Sequence, residues 1–260
     1  FISEKQDNKR VNEVTSRSTY LYGVLPVQCA LTHRRRKLDH LFLKKIESSD
    51  RLNKIRMLAE LNRIPISEVT LKELDEMCPN AVHQGAVLRC GDLDFLKISN
   101  LPQIKEGENQ LIIALDQVED PHNLGAILRT CSFFKVSAVV VPRDHTPGLT
   151  SSVSKASAGV SEWYPVISVP NLARFLQQQK SKGFWVIGLT GDAEESIVQF
   201  SQDCPLILVL GNEGKGLRRL SRKYCDILVS IPGCSDVSSL NVSNAAAVMI
   251  FHLKYNSQSL

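Results

Sequence analysis

Three polar strings hold the residues that could do chemistry. They are Asp120-Pro-His-Asn-Leu-Gly-Ala-Ile-Leu-Arg129, Leu208-Val-Leu-Gly-Asn-Glu-Gly-Lys-Gly216 and Ile231-Pro-Gly-Cys-Ser-Asp-Val-Ser-Ser-Leu-Asn-Val-Ser-Asn-Ala245. Each follows an apolar run that reads as a strand, and at least two open a helix. Polar loops at the exits of buried strands are where α/β proteins bind ligands. Three of them predict one composite pocket for a nucleotide-like ligand.

In the first string, Asp120 and Asn123 are helix-capping types and Pro121 suits a first turn. The following helix carries Leu124, Ile127, Leu128 and Cys131 on one apolar face. Gly125 and Arg129 are four residues apart on another face. Helical side chains lean toward the N-terminus, so Arg129 is expected to point back over Gly125, toward the strand exit. That would make it a cation fork for an anionic group. The competing reading is a surface salt bridge, with Gly125 allowing close helix packing. The second string has glycines for sharp turning and close ligand approach. It lacks the G-K-[ST] of a phosphate-binding Walker loop, and no G-x-G-x-x-G occurs, which weighs against dinucleotide binding. Alone it could also be a tight turn. In the third string Ser239, Asn241 and Ser243 can cap a helix, whether or not they also present donors to a ligand.

The elements that must position these strings alternate. Short apolar strands are expected at Leu111–Leu115, Ala138–Val141, Trp185–Leu189, Leu206–Leu210 and Ile227–Ile231. Helices are expected at Asn123–Phe134, Val153–Val160, Leu172–Lys182, Leu217–Tyr224 and Val242–Tyr255. This rhythm predicts an α/β fold with a mostly parallel sheet. Upstream, residues 38–63 read as largely helical, Thr70 and Glu73 as a capping box opening a helix through Met77, and Ala86–Cys90 as a strand. The predicted organisation is a flexible segment 1–20, a small α/β unit 21–92, a linker 93–108 and the larger α/β unit 109–260.

With 260 residues, 43% hydrophobic and 22% charged, the chain has the composition of a globular protein. It has no long uncharged apolar run, so no membrane span is expected. Seven scattered cysteines form no C-x-x-C pair and the six histidines no H-E-x-x-H, so no metal site is expected. Reduced thiols also argue against use of the Asn241-Val-Ser243 glycosylation sequon. The net charge is only +4, but residues 31–63 carry ten Lys/Arg against four Asp/Glu, centred on Arg34-Arg35-Arg36-Lys37. That cluster is either a solvated face or a surface that neutralises RNA phosphates. The chain starts at Phe1, so a natural N-terminus, with any targeting peptide, is expected to have been removed.

Together the N-L-G-A-I-L-R, L-V-L-G-N-E-G-K-G-L and I-P-…-S-S-L-N-V-S-N-A-A-A strings, in that order over residues 108–256, resemble the SpoU family of RNA ribose 2′-O-methyltransferases. Leu21-Tyr-Gly-Val-Leu-Pro-Val-Gln28 and Val82-His-Gln-Gly85 are similar to the small ribosomal-protein-like RNA-binding domain of some members. Leu74-Asp-Glu-Met-Cys78 before His-Gln-Gly looks most like the mitochondrial large-subunit rRNA guanosine methyltransferases.

The resemblance implies the SPOUT architecture, whose last segment threads a trefoil knot, a homodimer, and S-adenosylmethionine bound at the knot. By motif, it implies cofactor contacts at Thr190, Gly191, Leu210, Gly211, Ile231, Ser239 and Leu240. It places catalytic roles at Asn123, Arg129, Glu213, Ser239 and Asn241, with Arg129 as base or as a clamp on phosphate and alkoxide. RNA contacts are expected at Arg34, Arg35, Arg36 and Lys215. The implied reaction is methylation of a guanosine 2′-hydroxyl in large-subunit ribosomal RNA or a pre-ribosomal particle. The implied setting is the mitochondrial matrix, with the bacterial cytoplasm as the alternative.

Overall fold

The computed structural model describes residues 19–45, 49–103, 110–200, 204–234 and 239–255. Most of the predicted flexible segment, residues 104–108 of the linker and residues 235–238 of the third string lie outside these ranges. Thr19 and Tyr20, assigned to the flexible segment, already belong to the first strand.

The N-terminal unit is a four-stranded sheet in the order β1 (Thr19–Tyr22), β4 (Ala86–Cys90), β2 (Leu38–Lys44), β3 (Ile66–Val69). Helices α1 (Val24–His33) and α2 (Asp50–Leu61) pack on it. The expectation of helix from residue 38 fails for 38–44. Leu41 and Leu43 are buried while their neighbours are half-exposed. That is the two-residue period of a strand, and Leu38, Leu41 and Phe42 at i, i+3, i+4 mimicked a helix. The capping box holds: Thr70 Oγ1 accepts from Glu73 N, and the Glu73 carboxylate accepts from Thr70 N, opening α3 (Leu71–Met77).

The C-terminal unit is a seven-stranded, wholly parallel sheet: β7 (Val166–Val169), β6 (Ala138–Pro142), β5 (Leu111–Asp116), β10 (Leu206–Gly211), β8 (Trp185–Leu189), β11 (Ile227–Ser230), β9 (Glu195–Ser196). Strands β5, β6 and β10 are buried nearly end to end because helices cover both faces. On one face lie α4 (Pro121–Phe133) and α8 (Val242–Tyr255), packed on Ile113, Leu115, Leu208 and Leu210. On the other, α6 (Leu172–Lys180) and α7 (Arg219–Tyr224) cover Ile112, Ala114, Ile207 and Val209. Two strands, β7 and β9, have no counterpart in the sequence reading; each has four residues or fewer.

Gly125 is buried where α4 meets α5 (Ser151–Ala156). A Cβ there would lie 2.4 Å from Ala156 Cβ and 2.9 Å from the Val153 carbonyl oxygen. The glycine serves close helix packing, and the space above it is filled by α5 rather than left open for Arg129.

The two units share a joint. Arg36 and Glu162 form an ion pair of 2.9 Å inside it, supported by Ser154 Oγ donating to Glu162 over 2.8 Å. His33 stacks on Trp163 at 5.7 Å. The start of the expected linker is ordered: Leu96 N donates to Val166 O (2.8 Å) and Ser168 N to Leu96 O (3.0 Å), extending the sheet beside β7.

Candidate functional site

The three strings meet. Glu213 Oε1 accepts from Asn123 Nδ2 at 2.7 Å and from Asn241 Nδ2 at 2.6 Å, with the Val242 amide at 3.4 Å. Asn241 Nδ2 also donates to Asn123 Oδ1 over 3.0 Å. One carboxylate oxygen thus ties the start of α4, the turn after β10 and the start of α8.

Each string folds locally so as to deliver its residue. Asp120 Oδ1 caps α4 by accepting from His122 N at 2.8 Å, and Asn123 follows within the first turn. Asn212 builds the middle turn: its Oδ1 accepts from Gly214 N (3.0 Å) and Lys215 N (3.3 Å), and its Nδ2 donates to Gln117 O (3.0 Å). Gly211 admits no side chain, because a Cβ would stand 2.3 Å from the Gly216 carbonyl carbon. Asn241 does both things weighed for it. Its Oδ1 accepts from Ser243 N (2.9 Å) and Ser243 Oγ (2.6 Å), capping α8, while its Nδ2 reaches Glu213.

Beside this knot of bonds a cavity of about 820 Å³ opens at the C-terminal ends of β8, β10 and β11. Every residue expected to touch a cofactor lines it: Thr190, Gly191, Leu210, Gly211, Ile231, Ser239 and Leu240. Glu213 lines it too, so bonded group and cavity are contiguous. Gly216 and Gly233 present bare backbone there; a Cβ on either would project into open space. Asn212, Cys234 and Val242 also line the wall and were given no role from the sequence. Their signal was present, since all three lie within the quoted strings.

Other expectations fare differently. Arg129 is exposed, does not line the cavity and takes no part in the bonds around Glu213. It stands on α4 four residues before Phe133, which is 80% exposed, so the two share the outer face of the helix. Ser239 lines the cavity but stands outside the bonded group. Arg36 is only 6% exposed and is spent on Glu162, so its guanidinium cannot meet RNA. Arg35 donates to Tyr164 O and Asp94 O, each over 3.3 Å, and burial draws its guanidinium below its ordinary value despite nearby Glu162. Two of the four central cations, Arg35 and Arg36, therefore serve the joint between the units; long chains with charged ends can serve either purpose. Arg34 and Lys215 remain exposed. Among the described residues, no group of three or more His, Cys, Asp or Glu could hold a metal, and no helix is long and apolar enough to cross a membrane.

Residues 110–251 match the SpoU rRNA methylase family, and residues 20–96 match the RNA 2′-O ribose methyltransferase substrate-binding domain. The chain is 40% identical over 233 residues to the 23S rRNA (guanosine-2′-O-)-methyltransferase RlmB of Pseudomonas putida, covering 89% of this chain and 94% of that protein. It is also 40% identical over 238 residues to RlmB of Haemophilus influenzae, covering 91% and 97%. Among solved structures, the SpoU methyltransferase AviRb of Streptomyces viridochromogenes in complex with AdoMet superposes with a TM-score of 0.77 at 23% identity, over 93% of this chain and 91% of that one. The matched family model covers more than half of the sequence and the curated relatives align across nearly all of it, so the chain belongs to the SpoU rRNA methylase family.

Proposed function

We propose that this protein transfers a methyl group from S-adenosylmethionine to the ribose 2′-hydroxyl of a guanosine in large-subunit ribosomal RNA, the reaction for which its curated relatives are named. The observation that carries the reading is the contiguity of the Asn123–Glu213–Asn241 group with the cavity. Its volume, about 820 Å³, lies within the range of small-molecule sites.

The residues fit the cofactor. Leu210, Ile231 and Leu240 offer apolar wall, while Gly211, Gly216 and Gly233 let a ligand approach main chain. When bound, S-adenosylmethionine supplies an electrophilic methyl on a sulfonium centre. The chain's own residues must place the ribose and manage its proton. Asn123 and Asn241 are held rigidly by one carboxylate oxygen and so offer a preorganised edge to the ribose. Ser239 adds a hydroxyl on the wall. In this reading Arg129 either takes the hydroxyl proton or grips the adjoining phosphate and stabilises the alkoxide. A guanidinium has a very high pKa, which favours the clamp. The pH dependence of the single-turnover rate separates the two.

Arg129 stands away from its own chain's cavity, so the reading includes a homodimer. Phe133, Val248, Phe251 and Tyr255 form an exposed apolar face on α4 and α8, 44% to 80% exposed. A second copy seated on it would cover Arg129 as well, which shares that face. The N-terminal unit, 21–92, would hold RNA, with Arg34 and Lys215 as contacts, residues 93–108 joining it to the methyltransferase domain 109–260. The knot implied for the last segment belongs to the same reading. The relatives reported above are bacterial, which favours the bacterial cytoplasm over the mitochondrial matrix.

The decisive experiment maps ribose methylation across large-subunit rRNA from cells with and without the protein. Loss at one guanosine supports the proposal. Loss confined to a transfer RNA would keep the reaction and overturn the substrate.

A further inference from the structure

A second cavity, of about 480 Å³, opens on the same C-terminal edge of the parallel sheet. It lies beyond β6 and β7, whereas the first lies beyond β8, β10 and β11, with β5 between. The first is walled by α8 on one face of the sheet, the second by the starts of α6 and α7 on the other. Strands are spaced about 4.8 Å apart, so the centres of the two openings are on the order of 15–20 Å apart along that edge. That is a distance a few nucleotides of single-stranded RNA can bridge.

Its walls suit one nucleotide. Pro142 ends β6 there and Pro170 directly follows β7, so two proline rings stand on the lining. Arg218 and Arg219 supply the cationic end. Asp116 is wholly buried at the end of β5 and accepts from Arg218 N (2.9 Å) and Arg218 Nε (2.5 Å), which fixes the backbone and the root of the guanidinium. Its two terminal nitrogens take no part in that grip. Arg219 is exposed and, among the described residues, has no carboxylate partner. Asn171 caps α6 through Oδ1, accepting from Arg174 N at 2.9 Å, so its amide NH₂ remains a donor for the cavity. Asp144 is the one carboxylate on the lining; it would repel a phosphate at its own end and accept from a base amino group.

The two cavities are linked by charge. From the turn beside Glu213 the chain runs Lys215, Arg218, Arg219, Arg222, Lys223, all exposed. Among the described residues, only Arg218 and Arg222 of these meet carboxylates, at Asp116 and Asp192. A polyanion whose ribose lies at Asn123 and Asn241 therefore finds a basic path toward the second cavity.

We propose that this second cavity seats a nucleotide of the RNA strand flanking the target guanosine, its phosphate held by Arg218 and Arg219. The inference rests on the protein's being an RNA methyltransferase. It is tested with a labelled single-stranded RNA long enough to span both cavities, by fluorescence anisotropy across a salt series. The chains are wild type, Arg219→Glu, Arg219→Lys and Lys182→Glu, the last an exposed cation on the opposite edge of the sheet. Arg219→Glu is expected to weaken RNA binding about tenfold and to lower the salt slope by about one phosphate contact. Arg219→Lys should retain most of the affinity, Lys182→Glu should match wild type, and calorimetric binding of S-adenosylmethionine should be equal in all four. RNA carrying 4-thiouridine beside the guanosine should crosslink to the peptide around 170–173 or 218–221. Arg219→Glu binding RNA as Lys182→Glu does, or crosslinks confined to residues 19–96, overturns this site while leaving the enzyme reading intact. RNA binding absent even in wild type would overturn both.

Discussion

Arg36 Nη2 stands 2.9 Å from Glu162 Oε1, with both side chains 1% exposed, and the pair joins two sheets that share no strand. It is incompletely satisfied, since Arg36 Nε and Glu162 Oε2 are buried with no hydrogen-bond partner among the described residues. Burial pushes the Glu162 carboxyl up further than Arg36 and Ser154 draw it down. Ionising it is therefore harder in the fold than in the open chain. The sign follows: this group's contribution is present below the ordinary carboxylate range and is lost as pH rises through the raised value. Removing one partner leaves a bare buried charge, whereas replacing both by apolar groups can be neutral. Glu162→Ala is thus expected to lower the unfolding free energy by about 3–5 kcal/mol, and Arg36→Met with Glu162→Leu to regain most of it. Urea unfolding decides; a single variant as stable as wild type would show that the pair does not hold the joint.

Glu213 offers a cleaner separation of charge from geometry. Glu213→Gln keeps an oxygen for the two asparagine amides, and Glu213→Ala removes the shared acceptor. Loss of a preorganised polar group at a reacting centre costs about 100-fold or more in kcat. That loss is expected for Glu213→Ala, and a smaller one, about tenfold, for Glu213→Gln. Rates from labelled S-adenosylmethionine under saturating RNA give the comparison, and an alanine variant within a few-fold of wild type would remove Glu213 from the site.

The sequence and the structure part company where contacts are long-range. The strings were readable because turns, caps and strand exits are written locally: Asp120, Asn212 and Asn241 each form bonds to backbone within three residues. The cavity wall was readable for the same reason. What Arg36 does was not, because its partner lies 126 residues away and a run of arginines looks alike whether it faces RNA or a second unit. Gly125 had two readings from sequence, a gap for Arg129 or close helix packing, and nothing local announces the α5 above it that decides for packing. Residues 38–44 were misread because Leu38, Leu41 and Phe42 keep a helix's spacing while Leu41 and Leu43 keep a strand's, and pairing with β4 chose the strand.

Arg129 yields a test of subunit geometry. It is exposed and lies outside the cavity, so Arg129→Ala should leave cofactor affinity unchanged while reducing turnover severely. If one copy's Arg129 completes its partner's site, mixing Arg129→Ala with Asn241→Ala chains rebuilds activity. In an equal mixture half the dimers are mixed and one of their two sites carries both residues, giving about a quarter of wild-type sites. Mixtures with no more activity than the separate variants would return Arg129 to a structural or wholly intrachain role.

The thiols offer a probe of the cavity that needs no RNA. Cys234 is exposed and lines the cavity wall. Elsewhere burial holds thiols protonated: Cys78 is pushed up to about 11, and Cys225 to about 12, by burial first and then by Asp226. The thiolate is the reacting form, so at pH 8 these two are almost wholly inert. Brief treatment with a maleimide at that pH should modify Cys234 well before Cys78 or Cys225, as read by peptide mapping. Saturating S-adenosylmethionine should slow the reaction at Cys234 by covering the wall it stands on, and have no effect on labelling of Cys234 in denaturant. Equal rates with and without the cofactor in the folded protein would mean that the ligand does not occupy this cavity, whatever the three strings do.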